Sequence, residues 1–419
     1  MTLPSFSRAW IQFASLIWQG HPTENFPELD QQWIIWLRQT GLESLQKVWL
    51  NPPSLPLQTQ PTSPTLKKYS EDSICFELEG LVKLYKISPS GTSSNQAVLL
   101  VAPCSHQASI FDLNPEGSLT EALTSLGHEV YVLEWITPNA LPSSASTTPI
   151  EPTNPYLVVP PLWVNYRNAI REILSWLHKA LNNAASSSRL HIMGLCLGGV
   201  LAIDALTSEE PSPYSPASFP PIGSLTLLST LLDYRTSSPL SCLHWPPLQN
   251  ALKKTLSSLS WIPASTIYSF CSVLMPSHLT VPSALSLWSQ QGLNVSAPFA
   301  LELLEAFYIK NILINPTPSK SCSPLKRLNI PLYAVAGLND RLAPIHSLFN
   351  GLHHCPKDLP IRLSIFESGH LKCFLPNTKI RGYQDNWHGE STKKWLSKAP
   401  APHASTSWVD DWNHWIKIN

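Results

Sequence analysis

Hydrophobic positions fall into two regimes along the chain. Near residue 74, "SICFELEG" and "VKLYKIS" alternate apolar with polar, the period of strands with one wet face, and their closeness predicts an antiparallel hairpin at one edge of a sheet. From residue 97 onward the pattern becomes short, continuous apolar runs: "AVLLVAP", "EVYVLEW", "LHIMG", "SLTLLST", "PLYAVAG" and "IRLSIFE". Runs of this kind suit strands covered on both faces of a parallel sheet. Between them "GSLTEALTSLG" and "NYRNAIREILSWLHKAL" repeat their apolar residues at helical spacing. Strands alternating with helices predict an α/β fold with a mostly parallel central sheet.

Proline breaks this pattern at definite places. "NPPSLPLQTQPTSPTL", residues 51–66, cannot hold a regular helix because each proline removes a donor and fixes φ. It is expected to link an N-terminal helical arm, residues 1–50, to the main domain at 67–419. In the arm, Trp10, Phe13, Leu16 and Ile17 recur at helical spacing. Residues 138–161 and 211–221 are expected to be surface insertions, and the Trp- and Leu-rich stretch at about 235–325, lying between two sheet strands, a helical cap.

Composition narrows the possibilities. Lys plus Arg and Asp plus Glu both total 28, so no net field gathers nucleic acid or an anionic membrane, and no nucleic-acid partner is expected. Only 13% of residues are charged, about half the usual share, and the chain holds 16 Trp. That balance predicts a Trp-rich exterior prone to partition onto apolar material. No apolar run reaches the ~18 residues of a membrane span, and residues 1–20 carry no export signature. The eight cysteines show no C-x-x-C or zinc-like spacing, which predicts reduced thiols in the cytoplasm and no metal site.

The candidate chemistry centres on "LHIMGLCLGG", residues 190–199, where a strand runs through Gly-x-Cys-x-Gly-Gly into a helix. Small residues at 194, 198 and 199 permit the tight turn that exposes Cys196 as a nucleophile. The same turn offers the Leu197 N–H as half of an oxyanion hole, and the loop after "AVLLVAP", near Ser105, is expected to supply the other half. Asp340 follows the strand "PLYAVAG" and His370 follows "IRLSIFE", giving the chain order Cys, Asp, His. His370 is expected to act as base, and Asp340 to fix its tautomer. Arg341, Lys372 and Arg381 are cations near these loops.

These segments together resemble the polyhydroxyalkanoate synthases. "GLCLGG" is similar to their cysteine form of the lipase box, and "IFDLNPEGSLTEALTSLGHEVYVLEWITP" and "LLDY" to the segments around it. "VAGLNDRLAP" and "ESGHLKCFLPN" resemble their Asp and His loops, and "TSWVDDWNHWI" their C-terminus. Arg341 and Ile345 stand where the family commonly has His and Trp. The resemblance implies an α/β-hydrolase fold and polymerisation of 3-hydroxyacyl-CoA thioesters with release of CoA, Cys196 carrying the acyl group, His370 acting as base, and Asp340 serving as its partner or as the activator of the incoming hydroxyl. It implies no cofactor beyond the CoA of the substrate, a cytoplasmic protein at the polyester granule surface, and a homodimer with or without a partner subunit. Two other readings stay open: a non-polymerising cysteine acyltransferase or thioesterase, and an inactive granule-binding protein.

Overall fold

A computed structural model describes residues 69–419, except for 92–93, 114–116, 138–158, 183–188, 210–218, 237–242, 265–287, 289–291, 317–321, 377–381, 400–406 and scattered single positions. The expected arm, the linker, most of both insertions and part of the cap lie outside the described residues.

Nine strands form one sheet: β1 Ile74–Leu78, β2 Val82–Ile87, β3 Gln96–Val101, β4 Glu129–Trp135, β5 Arg189–Leu195, β6 Ile222–Leu228, β7 Leu332–Gly337, β8 Ile361–Phe366 and β9 Gly382–Asn386. Their order is β1-β2-β4-β3-β5-β6-β7-β8-β9. The β1–β2 hairpin is antiparallel and forms one edge, β2 runs antiparallel to β4, and the strands from β4 through β8 pair in parallel. At the other edge β9 pairs antiparallel with β8, a strand that the polar, weakly alternating "GYQDN" did not announce. This order and direction are those of the α/β-hydrolase fold.

Helices cover both faces, making three layers. α1 (Leu119–Ser125), α2 (Trp163–Asn182) and α3 (Leu197–Thr207) are joined by α4 (Pro246–Leu256), α5 (Ala297–Leu303), α6 (Ile345–Leu352), α7 (Thr392–Lys398) and α8 (Trp408–Trp415). Leu119 and Leu123 of α1 and Trp408, Trp412 and Trp415 of α8 close one face, against Val98, Val132 and Tyr333. Ile170, Ile173 and Leu177 of α2, with Val200 and Leu201 of α3, close the other. β3 through β7 are buried almost throughout, as their unbroken apolar runs require.

The Trp-rich exterior is not found among the described residues. Trp135, Trp163, Trp261, Trp288, Trp395, Trp408, Trp412 and Trp415 are buried, and the large apolar residues exposed there are Val159, Leu162 and Ile418. The reason is physical: an indole carries more apolar area than any other side chain, so a chain poor in charge uses it to fill the core. Several also place their N–H on a carbonyl, Trp135 on Ala102 at 2.9 Å and Trp408 on Phe374 at 2.9 Å.

Between β6 and β7, α4 packs on α5, Trp261–Ile262 pairs with Val295–Ser296, and a π-helical stretch, Leu304–Ile309, continues α5. This segment reaches the loop after β3. Leu293 N–H donates to the Ser105 carbonyl at 2.8 Å, Trp288 Nε1–H donates to the Gln107 carbonyl at 2.8 Å, and the Trp288 and His106 rings stack 4.5 Å apart. No helix among the described residues is long and apolar enough to cross a membrane.

Candidate active site

The chain lays β4 on one side of β3 and β5 on the other, so the direction of strand addition reverses between β3 and β5. Connections leave a crevice at such a point, beyond the carboxyl ends of the strands. Cys196 stands there, between the end of β5 and the start of α3.

Its backbone is strained, with φ 51° and ψ −116°. Non-glycine residues avoid positive φ, and where surroundings impose it the strain marks function. The surroundings here are unusually tight. A Cβ on Gly194 would stand 2.4 Å from the Gly199 Cα, and one on Gly198 would stand 2.3 Å from the Val101 carbonyl oxygen. Glycine at these positions therefore lets α3 start directly against the ends of β5 and β3. The Cys196 N–H donates to the Leu228 carbonyl at 2.8 Å, tying the turn to β6.

His370 and Asp340 are brought to the same place from the loops after β8 and β7. His370 Nδ1–H donates to Asp340 Oδ2 at 2.7 Å, both side chains being buried. The other carboxylate oxygen, Oδ1, accepts the Leu342 and Ala343 N–H groups, each at 2.9 Å, which fixes the carboxyl plane. Cys196 also acts electrostatically on His370, which sets its sulfur near the ring, and with Nδ1 committed to Asp340 the nitrogen left for it is Nε2. Burial opposes charge on His370, but the hydrogen-bonded Asp340 carboxylate, with the Cys196 side chain, outweighs it, holding the imidazole well above its usual range. The three residues singled out from sequence thus form one connected line.

Two residues not singled out support it. Ser229, at φ 46° just past β6, donates from Oγ to the His370 carbonyl at 2.5 Å and lies 2.9 Å from Cys373 Sγ. Burial, partly relieved by Ser229, pushes the Cys373 thiol up to about 12, so it serves as a neutral, packed group. A serine directly after an apolar strand next to the nucleophile strand was the available signal.

The oxyanion candidates are placed less completely. Leu197 is the first residue of α3, where N–H groups have no acceptor within the helix. Ser105 lies on the loop after β3, with Oγ on His106 Nδ1 at 2.9 Å and its carbonyl on Leu293, so a role for it falls to the backbone N–H. Next to it Cys104 is buried and within electrostatic reach of Cys196; burial raises its thiol, and it too is neutral. Arg341 and Lys372 are exposed beside Asp340 and His370, while Arg381 lies outside the described residues.

No family model matches the chain. Among curated relatives, the poly(3-hydroxyalkanoate) polymerase subunit PhaC of Cupriavidus necator is 24% identical across 83% of this chain and 58% of its own length. The protein of the same name from Rhizobium meliloti is 23% identical across 84% of this chain and 55% of its own. The chain therefore spans little more than half the length of these relatives. Among solved structures, a soluble variant of monoglyceride lipase from Saccharomyces cerevisiae aligns over 87% of this chain and 98% of its own, at 11% identity and a TM-score of 0.47.

Proposed function

We propose that this chain is a polyhydroxyalkanoate synthase, polymerising 3-hydroxyacyl-CoA thioesters through an acyl group carried on Cys196, with CoA released. One observation carries the reading: the nucleophile on the strained turn is a thiol beside a histidine that a buried carboxylate backs, in a chain similar to poly(3-hydroxyalkanoate) polymerases.

The steps follow from the geometry. Cys196 sulfur attacks the thioester carbonyl, its proton having passed to His370 Nε2. The oxyanion is held by the Leu197 N–H and a second N–H from the loop at Ser105. As the carbonyl re-forms, the CoA sulfur leaves and takes the proton from His370. One thioester replaces another, so the acyl group stays activated; a serine ester at the same position would lose that driving force one step early. Neutral His370 then removes the proton of an incoming 3-hydroxyl, whose oxygen attacks the Cys196 thioester; the new ester forms as the C–S bond breaks, and the Cys196 sulfur takes the proton back from His370. Asp340 keeps Nδ1 protonated throughout, which leaves Nε2 free to take and return protons.

On this reading the protein is cytoplasmic and works at the surface of a polyester granule, as a homodimer or with a partner subunit. Purified protein incubated with 3-hydroxybutyryl-CoA tests the reaction, with free CoA and insoluble polyester followed together. Both should appear with the wild type and neither with Cys196→Ala. CoA release with only free 3-hydroxybutyrate formed makes the protein a thioesterase; no CoA release removes the proposal.

A further inference from the structure

The loop after β3 meets the nucleophile turn backbone to backbone. A Cβ on Gly198, two residues past Cys196, would stand 2.3 Å from the Val101 carbonyl oxygen and 2.9 Å from that of Ala102. Three residues beyond Ala102 comes Ser105, whose N–H is the second oxyanion donor of the reaction proposed above. Such a donor lowers the barrier only if it is aimed before the charge develops, so residues 105–107 must be held in place. Bonds within the loop are short-range. His106 N–H donates to the Pro103 carbonyl at 3.2 Å, Ser105 Oγ pairs with His106 Nδ1 at 2.9 Å, and Ile110 N–H donates to the Gln107 carbonyl at 3.4 Å. They shape the loop's turns without fixing where the loop lies.

The cap supplies that fixing. Leu293 N–H donates to the Ser105 carbonyl at 2.8 Å, and Gly292 forms an antiparallel bridge with His106. Trp288 Nε1–H donates to the Gln107 carbonyl at 2.8 Å, and its ring stacks on His106 with centroids 4.5 Å and planes 28° apart. Three consecutive loop residues are thus tied to Trp288, Gly292 and Leu293, and none of these ties uses the Ser105 N–H. The cap strand is itself anchored. Asn294 Oδ1 accepts the Ala264 N–H at 2.9 Å, Val295–Ser296 pairs with Trp261–Ile262, and Ser296 Oγ donates to the Pro161 carbonyl at 2.6 Å, just ahead of α2.

Trp288 does more in this brace than fill space. It is 3% exposed and His106 is 5% exposed, so the stack is closed to water. A phenylalanine would also stack on the imidazole; what the indole adds is its N–H, and that N–H is given to the loop. Peptide units are planar, so a carbonyl held by a donor fixes the whole plane. Leu293 fixes the plane between Ser105 and His106, and Trp288 the one after Gln107. The neighbouring plane that carries the Ser105 N–H then has little freedom to turn away.

We infer that Trp288 is a positioning residue for acyl transfer, its indole N–H and ring holding residues 105–107 so that the Ser105 N–H meets the oxyanion at Cys196. The inference rests on the reaction proposed above and gives the cap a part in it.

The test separates the oxyanion from the nucleophile. Trp288→Phe keeps a ring on His106 and removes the bond to Gln107. Two rates at Cys196 are compared with wild type. One is acylation by 3-hydroxybutyryl-CoA in single turnovers, read by CoA release and the mass of the adduct. The other is alkylation by iodoacetamide, which draws on the same thiol and His370 but forms no oxyanion. Acylation should slow about ten- to a hundredfold, the effect of turning one donor off its target, with half-saturation changed less than about twofold. Alkylation should change less than about twofold, because the thiol and its base are untouched. His106→Phe, which leaves Trp288 a ring to stack on and removes the bond to Ser105 Oγ, should show the same split and decides the matter if Trp288→Phe does not fold. Equal slowing of both rates, or unchanged acylation, overturns the inference and leaves the reaction standing. Wild type that is alkylated at Cys196 yet forms no acyl adduct overturns the reaction itself, and the inference with it.

Discussion

Replacing Asp340 by Asn should cripple acyl transfer without disturbing the fold, and the reason lies in how the carboxylate is held. Its Oδ1 accepts two backbone N–H groups, from Leu342 and Ala343, at 2.9 Å each. The amide of an asparagine must place its oxygen there, since an NH2 group has nothing to offer two donors. Its nitrogen then faces His370 Nδ1, across the present 2.7 Å contact, and donates to it. The proton of the neutral imidazole moves to Nε2, the atom that must accept from Cys196. Protonating His370 would now leave an uncompensated buried cation, a cost of about 3–5 kcal/mol, or roughly two to four orders of magnitude in rate. The assay is CoA release from 3-hydroxybutyryl-CoA, with alkylation of Cys196 by iodoacetamide as a substrate-independent check. At neutral pH both should fall. Stability should respond to pH in a definite sense. In the wild type His370 binds its proton more tightly folded than unfolded, a stabilisation complete below about pH 6.5 and lost as pH rises through the raised folded value. The wild-type advantage in Tm over Asp340→Asn should therefore narrow at alkaline pH. A rate loss below about tenfold, ~1.4 kcal/mol, would refute the tautomer argument.

Substitutions at three positions, Cys196, Gly198 and Ser229, probe the turn and its support. Cys196→Ala should abolish turnover and keep the fold, whereas Cys196→Gly, free of the positive-φ strain, should melt higher than the Ala variant by about 1 kcal/mol in urea titrations; the reverse order would remove the strain argument. Gly198→Ala drives a Cβ to 2.3 Å from the Val101 carbonyl, so α3 must shift off β3, costing about 1–3 kcal/mol and most of the activity; a melting curve matching wild type would contradict the packing. Ser229→Ala frees the His370 carbonyl, and CoA release should fall several-fold at little cost in Tm; unchanged kcat with unchanged KM would show that Ser229 does not position His370.

The catalytic line was legible in the sequence because each member follows a strand whose signal is strong. An unbroken apolar run such as "PLYAVAG" or "IRLSIFE" marks a buried parallel strand, and the residue just beyond it arrives at the carboxyl edge whatever the intervening helices do. Gly194, Gly198 and Gly199 add a steric signature that no other residue type satisfies at such contact distances. The Trp-rich C-terminus was visible as composition but not as location. Period alone shows that Trp408, Trp412 and Trp415 share a face of α8; that this face meets the sheet is settled by Tyr333, whose hydroxyl reaches Asp411, and by Arg362, which bonds the same carboxylate at 2.6 Å.

The cap illustrates the opposite case. Its contribution to the site is a set of contacts across long separations, Trp288 on His106, Leu293 on Ser105 and Phe307 on Tyr234, and none has a periodic or positional trace in the chain. Local pattern specifies strands and helices because neighbours in sequence are neighbours in space. Contacts between the loops after β3 and β6 and an insertion join no such neighbours, so they emerge only when the sheet has fixed where each loop begins. That is why "LLDY" could be noticed as a motif while the place of its tyrosine could not: Tyr234 gains its setting from Phe307 and Asn311, more than seventy residues away.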